Sequence, residues 1–172
     1  MKELQGMETR PTTDRVKEGL FSIIQFDIEG RRVLDLFAGT GQLGIEALSR
    51  GAAECVFVDQ RRDAVTLVKE NLAVCDLTDR AHVRQGDSMA YLRSGETFDL
   101  IFLDPPYGSG LLQQAISDIT RFDICRAHGI IIAESDADTV LPAVELPYSL
   151  YREYRYGKIK LTVYHRSGNE DL

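Results

Sequence analysis

The sequence predicts an α/β fold: a mostly parallel seven-stranded sheet, helices on both faces, and a C-terminal antiparallel hairpin. Three observations carry that expectation. Short apolar runs alternate with amphipathic stretches through most of the chain, a glycine-rich turn follows the first run, and little more than Gly157 separates the last two. Strand signals alternating with helix signals imply parallel strands joined by crossover helices, and two adjacent strand signals imply a hairpin.

The elements follow in order. Pro11-Thr12-Thr13-Asp14 reads as a helix start; Val16, Leu20, Phe21, Ile23 and Ile24 continue at helical spacing, and Gly30 ends the element. Val33 to Phe37 is a buried strand, followed by a helix from Gln42 to Ser49. Cys55 to Asp59 is the second strand, with a helix from Arg61 to Val74. A weaker third strand surrounds His82-Val83-Arg84, and a short helix spans Met89 to Leu92. Phe98 to Asp104 is the fourth strand, with a helix over Leu111 to Ile119, and Gly129 to Ala133 is the fifth. Ser149 to Tyr156 and Lys158 to His165 form the closing hairpin. No repeat or linker divides the chain, so one domain over 1–172 is expected, with the segment 1–28 and its helix packed on it.

Composition narrows the function classes. A chain of 172 residues, 44% hydrophobic and 27% charged, can bury a core without disulfides or metals. No apolar run approaches the roughly 18 residues of a membrane span, and the N-terminus has no signal-peptide core. Cys55, Cys75 and Cys125 form no Cys-x-x-Cys pair, and His82, His128 and His165 are scattered. Free, mostly buried thiols in a reducing cytoplasm are therefore expected, with no metal site and no membrane, and the chain is expected to be a monomer. The net charge of −7 opposes phosphate binding. Yet between Tyr148 and Arg166 five basic residues (Arg152, Arg155, Lys158, Lys160, Arg166) face one acid, Glu153. Such a segment suits either a nucleic-acid surface or solvated edge strands, and charge alone leaves both open.

Gly39-Thr40-Gly41-Gln42-Leu43-Gly44 matches G-x-G-x-x-G between a strand and a helix, and Asp59 ends the next strand twenty residues past Gly39. Such glycines let backbone approach a ligand, and the carboxylate can accept from ribose hydroxyls. That implies an adenosine-containing cofactor without choosing between a dinucleotide and S-adenosylmethionine. Asp35 stands inside its strand, where a dinucleotide fold prefers an apolar residue, and a carboxylate there can anchor an ammonium group. No lysine follows Thr40, so the loop is not a P-loop. Asp87 can accept from an adenine amino group, cap a helix, or do both.

Asp104-Pro105-Pro106-Tyr107 follows the fourth strand. Prolines have fixed φ and no backbone donor, so Asp104 and the Pro105 carbonyl stand as rigid acceptors with no competing N–H. Two such acceptors can grip an aromatic amine and aim its lone pair, while Tyr107 stacks on the base. The alternative is a loop that merely stops a strand; its place downstream of the glycine loop and Asp59 favours the chemical reading.

With these motifs in hand, the chain resembles the RsmD-like bacterial 16S rRNA guanine-N2 methyltransferases. The resemblance rests on Arg10-Pro-Thr-Thr-Asp-Arg-Val-Lys-Glu18, on Asp35 to Leu48 and on Phe102-Leu-Asp-Pro-Pro-Tyr107, and it extends from Arg10 to Tyr164. It implies a Rossmann-like class I methyltransferase fold, S-adenosylmethionine as cofactor, and ribosomal RNA or a small-subunit assembly intermediate as partner. By motif match Asp35, Phe37, Gly39, Gly41, Asp59 and Asp87 hold the cofactor, with Ala38, Thr40, Gly44, Gln60 and Ser88 completing the set. Asp104, Pro105, Pro106 and Tyr107 hold the target base, and Arg10, Thr12 and Thr13 close over the methionine end. Family members carry a basic, glycine-containing segment before the Arg-Pro-Thr motif; here nine residues precede Arg10, with Lys2 their one basic side chain.

Rival readings make different demands. A DNA amino-methyltransferase shares the Asp-Pro-Pro-Tyr turn but usually carries an extra target-recognition region. A protein-glutamine methyltransferase typically has asparagine at the position of Asp104. A nicotinamide-dependent oxidoreductase accounts for the glycine loop and Asp59 but not for the turn. A binding module that lost catalysis has no need of an intact turn.

Overall fold

The computed structural model describes residues 14–171. Helix α1 (Asp14–Ile23) leads into β1 (Arg32–Asp35), α2 (Gln42–Ser49), β2 (Glu54–Asp59) and α3 (Arg62–Val74). Then come β3 (Ala81–Gln85), α4 (Ser88–Tyr91), β4 (Phe98–Leu103), α5 (Leu111–Phe122) and β5 (Cys125–Asp136). Strands β6 (Tyr148–Tyr156) and β7 (Ile159–Arg166) complete a seven-stranded sheet in the order β3-β2-β1-β4-β5-β7-β6.

The first five strands pair parallel; β7 runs antiparallel to both β5 and β6. The period-2 alternation of side chains divides the core. Val33, Phe57, Leu100 and Phe102 pack under α1, α2 and α3, whereas Leu34, Val58, Ile101 and Leu103 pack under α4 and α5. The strand order reverses between β1 and β4, and crevices at such switch points lie at the carboxyl ends of the strands. That is where the singled-out motifs converge.

Two expectations need correction. The first helix ends at Ile23 rather than at Gly30. Ile24 and Ile28 remain buried and prolong the apolar pattern, but Asp27 N and Arg31 N bond to Ile24 O and Ile28 O in separate turns. The fifth strand runs over Cys125–Asp136, not merely Gly129 to Ala133. Its pairing with β4 jumps from Phe98↔Cys125 to Leu100↔Ile130, and His128 takes a left-handed φ of 63 inside that irregularity. The apolar run marks only its regular centre.

The basic C-terminal segment also divides. Lys160 is buried, with Nζ donating to Thr139 O at 2.8 Å and lying 3.6 Å from Glu153, and Arg166 is buried against Asp123. These two cations serve the fold, whereas Arg152, Arg155 and Lys158 are exposed. Residues Gly157 and Lys158 alone form the hairpin turn, between the paired Tyr156 and Ile159, and Gly157 supplies a φ of 61. Glycine first in a two-residue turn suits the twist of the flanking strands.

Candidate active site

The loop from β1 to α2 is shaped by backbone demands. Gly39 and Gly41 adopt φ of 58 and 84, left-handed values that glycine takes without steric cost. Gly44 serves differently: a Cβ there would run into the Phe57 ring and Cys55 Sγ, so its missing side chain lets α2 lie close on β2. Ala38 N donates to Val58 O at 3.0 Å and Gly41 N to Ala38 O at 2.8 Å, which closes the turn. The loop also leans on α3, where the buried Asn71 donates from Nδ2 to Thr40 O at 3.0 Å. Asn71 interrupts the apolar stripe of its helix, a signal the sequence reading passed over. Phe37 and Thr40 are half-buried and Ala38 is buried.

The acids cluster at the carboxyl edge of the sheet. Asp35, 2% exposed, accepts from Gly44 N through Oδ2 at 3.0 Å. Its carboxyl is pushed up to about 8, chiefly by burial, with the charges of Asp104 and Asp59 adding to the rise and the Gly44 N–H opposing it. Asp59 accepts from Gly39 N through Oδ2 and from Arg61 N through Oδ1, both at 2.9 Å. It therefore shapes the glycine loop besides facing any ligand, and each oxygen keeps a second lone pair. Asp87 is exposed and caps α4 by accepting from Ala90 N at 2.9 Å, while Ser88 Oγ donates to Leu36 O at 2.9 Å. The capping reading of Asp87 is thus present, and spare lone pairs leave the ligand reading available. Gln60 is exposed beside Asp59.

The Asp104-Pro105-Pro106-Tyr107 turn leaves the end of β4 next to this cluster. Pro105 is buried and Asp104 half-buried, whereas Pro106 and Tyr107 are exposed. Ser109 Oγ donates to the Pro106 carbonyl at 2.8 Å, and Leu111 N donates to Ser109 Oγ at 3.3 Å. Among the described residues the Pro105 carbonyl takes no hydrogen bond, so it stands available as an acceptor beside Asp104. The Tyr107 hydroxyl donates to Glu134 Oε1 at 3.2 Å. Glu134, on β5 and 2% exposed, escaped the sequence reading because that strand was ended at Ala133, three residues short of Asp136. An acid at the end of an apolar strand, the pattern seen at Asp59 and Asp104, would have found it.

The structure therefore brings together Asp35, the glycine loop, Asp59, Asp87, Ser88 and the Asp104–Tyr107 turn at one crevice. Arg10, Thr12 and Thr13 lie outside the described residues. The crevice fits a cationic adenosine-containing cofactor on two counts. A buried carboxyl stands beside two further carboxylates, and the side of Gly39 where a Cβ would project is open, with no atom of the described residues within 4 Å.

Comparison with known proteins agrees with this geometry. The model of the family described as "Conserved hypothetical protein 95" matches residues 1–165. YlbH of Bacillus subtilis (strain 168) is 41% identical over 172 residues, covering 98% of this chain and 94% of that protein. Ribosomal RNA small subunit methyltransferase D of Escherichia coli (strain K12) is 35% identical, covering 91% of this chain and 79% of that protein. The solved structure of yhhF from Escherichia coli superposes with a TM-score of 0.82 at 33% identity, covering 93% of this chain and 89% of that one. The sheet order with its antiparallel closing hairpin is the class I S-adenosylmethionine-dependent methyltransferase fold. Motifs, crevice and relatives converge: the chain belongs to the conserved hypothetical protein 95 family, the RsmD/YlbH family of rRNA methyltransferases.

Proposed function

We propose that this chain transfers a methyl group from S-adenosylmethionine to the exocyclic N2 amino group of a guanine in small-subunit ribosomal RNA. The observation that carries the reading is the Asp104-Pro105-Pro106-Tyr107 turn at the end of β4, beside the Asp35–Asp59 crevice. The name of the Escherichia coli relative, which specifies the small ribosomal subunit, supports the choice of RNA.

Asp35, the backbone of Phe37 to Gly41, Asp59, Gln60, Asp87 and Ser88 hold the cofactor, and Arg10, Thr12 and Thr13 close over its methionine end. S-adenosylmethionine supplies a methyl already activated on a sulfonium, so departure of the neutral thioether needs no acid. The protein's share is orientation and charge placement. Asp104 and the Pro105 carbonyl accept the two hydrogens of the guanine amine, which draws its delocalised lone pair out of the ring plane. That lone pair would form the bond to the methyl carbon as the sulfur–carbon bond breaks, and the electrons of the broken bond would stay on sulfur. The proton then shed by nitrogen passes to the Asp104 carboxylate or to water. Tyr107 stacks on the base, which must be single-stranded or flipped out to enter.

The test is methyl transfer from radiolabelled S-adenosylmethionine to total RNA and to small ribosomal subunits from cells lacking this protein. Label at guanine N2 of the small-subunit RNA is the expected outcome. Asp104→Ala is expected to lower turnover by about 100-fold or more while cofactor affinity stays within a few-fold, as for loss of one positioned polar group at a reacting centre. Label confined to DNA, or to a different RNA base, would move the substrate while keeping the chemistry; no label despite cofactor binding would refute the assignment to ribosomal RNA.

A further inference from the structure

We infer that Glu134 is a positioning residue for the base-stacking tyrosine: it fixes the Tyr107 ring beside the Asp104-Pro105-Pro106 acceptors through the Tyr107 hydroxyl. The inference rests on the base-methylating role of the turn proposed above.

Register puts Glu134 in place. Leu103 of β4 pairs with Ala133 of β5, strands spaced about 4.8 Å apart, so Asp104 leaves the end of β4 where Glu134 continues β5. Side chains alternate along a strand. Ala133 faces the core under α5, and Glu134 opposite Leu161 faces the other side, the side on which Asp35 meets Gly44 of α2. A carboxyl with 2% exposure is costly to keep unless its polar atoms are used. Here Oε1 accepts from the Tyr107 hydroxyl at 3.2 Å.

The chain around Tyr107 explains why such a tether matters. Pro105 and Pro106 fix the backbone on one side. On the other, Gly108 and Gly110 take φ of 72 and 74, with open space around both. The ring is 37% exposed, so packing alone leaves it latitude. A ring anchored at its hydroxyl keeps one plane before the base arrives, and a surface organised in advance saves the ordering cost at the moment of binding.

The test is a double-mutant cycle with Tyr107→Phe and Glu134→Met, and with Glu134→Gln as the conservative variant. Kinetics are measured with the small-subunit RNA substrate, and cofactor affinity and thermal unfolding are measured alongside. Tyr107→Phe and Glu134→Met are each expected to lower kcat/KM for RNA about 10-fold, with cofactor affinity unchanged. The double variant is expected to fall no further than either single one, because both remove the same bond. Glu134→Gln keeps an acceptor oxygen and is expected to recover most of the loss. Tyr107→Phe leaves the core untouched, so it reads the bond even where Glu134→Met unfolds. Losses that multiply in the double variant, a Tyr107→Phe enzyme as active as the parent, or a Glu134→Gln as impaired as Glu134→Met would each overturn the inference while leaving RNA methylation standing. A parent protein that labels no RNA would overturn both.

Discussion

Asp35 and Asp123 lie at opposite ends of the sheet and show two uses of a carboxyl. Asp123, just before β5, receives Arg166 Nε and Nη2 at 2.8 Å each and the Tyr148 hydroxyl at 2.8 Å. The Arg166 guanidinium holds its carboxyl below the usual value. Asp35, at the carboxyl end of β1, receives one backbone N–H, and its neighbours Asp104 and Asp59 carry the same charge. Its carboxyl is pushed up to about 8. Asp123 has its counter-charge built into the fold; Asp35 has none among the described residues. Perturbation toward the neutral form, in a crevice, without a cationic partner among the described residues, is the mark of a ligand site.

The sharpest way to break that contrast is to remove the charge at Asp35. Asp35→Asn keeps an acceptor for Gly44 N but offers no charge to the cofactor's cationic groups. It is expected to weaken S-adenosylmethionine binding about 100-fold, the range for losing a charge-assisted contact in a buried site. Calorimetry adds a second signature. At pH 7 the buried carboxyl of the parent protein is largely protonated, and a bound cation favours its ionised form, so binding should release close to one proton. Titrations in two buffers of different ionisation enthalpy measure that release, and Asp35→Asn should show none. Proton release that survives the substitution would assign the titration elsewhere.

At the other end the expected effect is on folding rather than binding. Asp123→Ala leaves the buried Arg166 guanidinium with Ser167 O at 2.8 Å and Asn169 Oδ1 at 3.3 Å, and leaves the Tyr148 hydroxyl only the longer contact to Ile119 O at 3.5 Å among the described residues. The Asp123 side chain is half exposed, so solvent screens part of the pair. A loss of about 2 kcal/mol is expected in urea unfolding, with cofactor affinity unchanged. A large fall in cofactor affinity would show that the two ends of the sheet are not independent.

The same contrast explains what the sequence made legible. An acid inside or at the end of an apolar run is visible without a structure, and so Asp35, Asp59 and Asp104 were found. The boundaries of α2 were equally visible, because Gly41 and the stripe of Leu43, Ile45, Ala47 and Leu48 bracket it. Glu134 was missed for want of one residue of strand, since the apolar run stops at Ala133 while pairing with β7 continues to Asp136. Lys160 and Arg166 are different. Nothing local distinguishes a lysine that donates to Thr139 O from one on a solvated edge; tertiary contact alone decides. The basic count of the closing hairpin therefore overstated its exposed charge.

The smallest expected effect has the most specific shape. A carboxyl pushed up to about 8 in the folded protein, against 3.8 ordinarily, keeps its proton in the folded state while the unfolded chain has lost it. Between about pH 4 and 8 the unfolded state thus binds fewer protons, and stability falls as pH rises through that window, then levels. Asp123 slopes the opposite way: its depressed value adds stability that is present above the unfolded value and is lost as pH falls through the folded one. Asp35→Asn should therefore flatten the profile between pH 4 and 8 and raise stability at pH 8, read as a higher Tm than the parent's. Its acid limb below pH 4 should stay that of the parent. Thermal unfolding across the range reads both limbs at once. A variant less stable than the parent at pH 8 would mean that the Asp35 charge is already compensated within the fold. A gain in stability alongside the expected loss of cofactor affinity would mean that the site holds its charge at the expense of the fold.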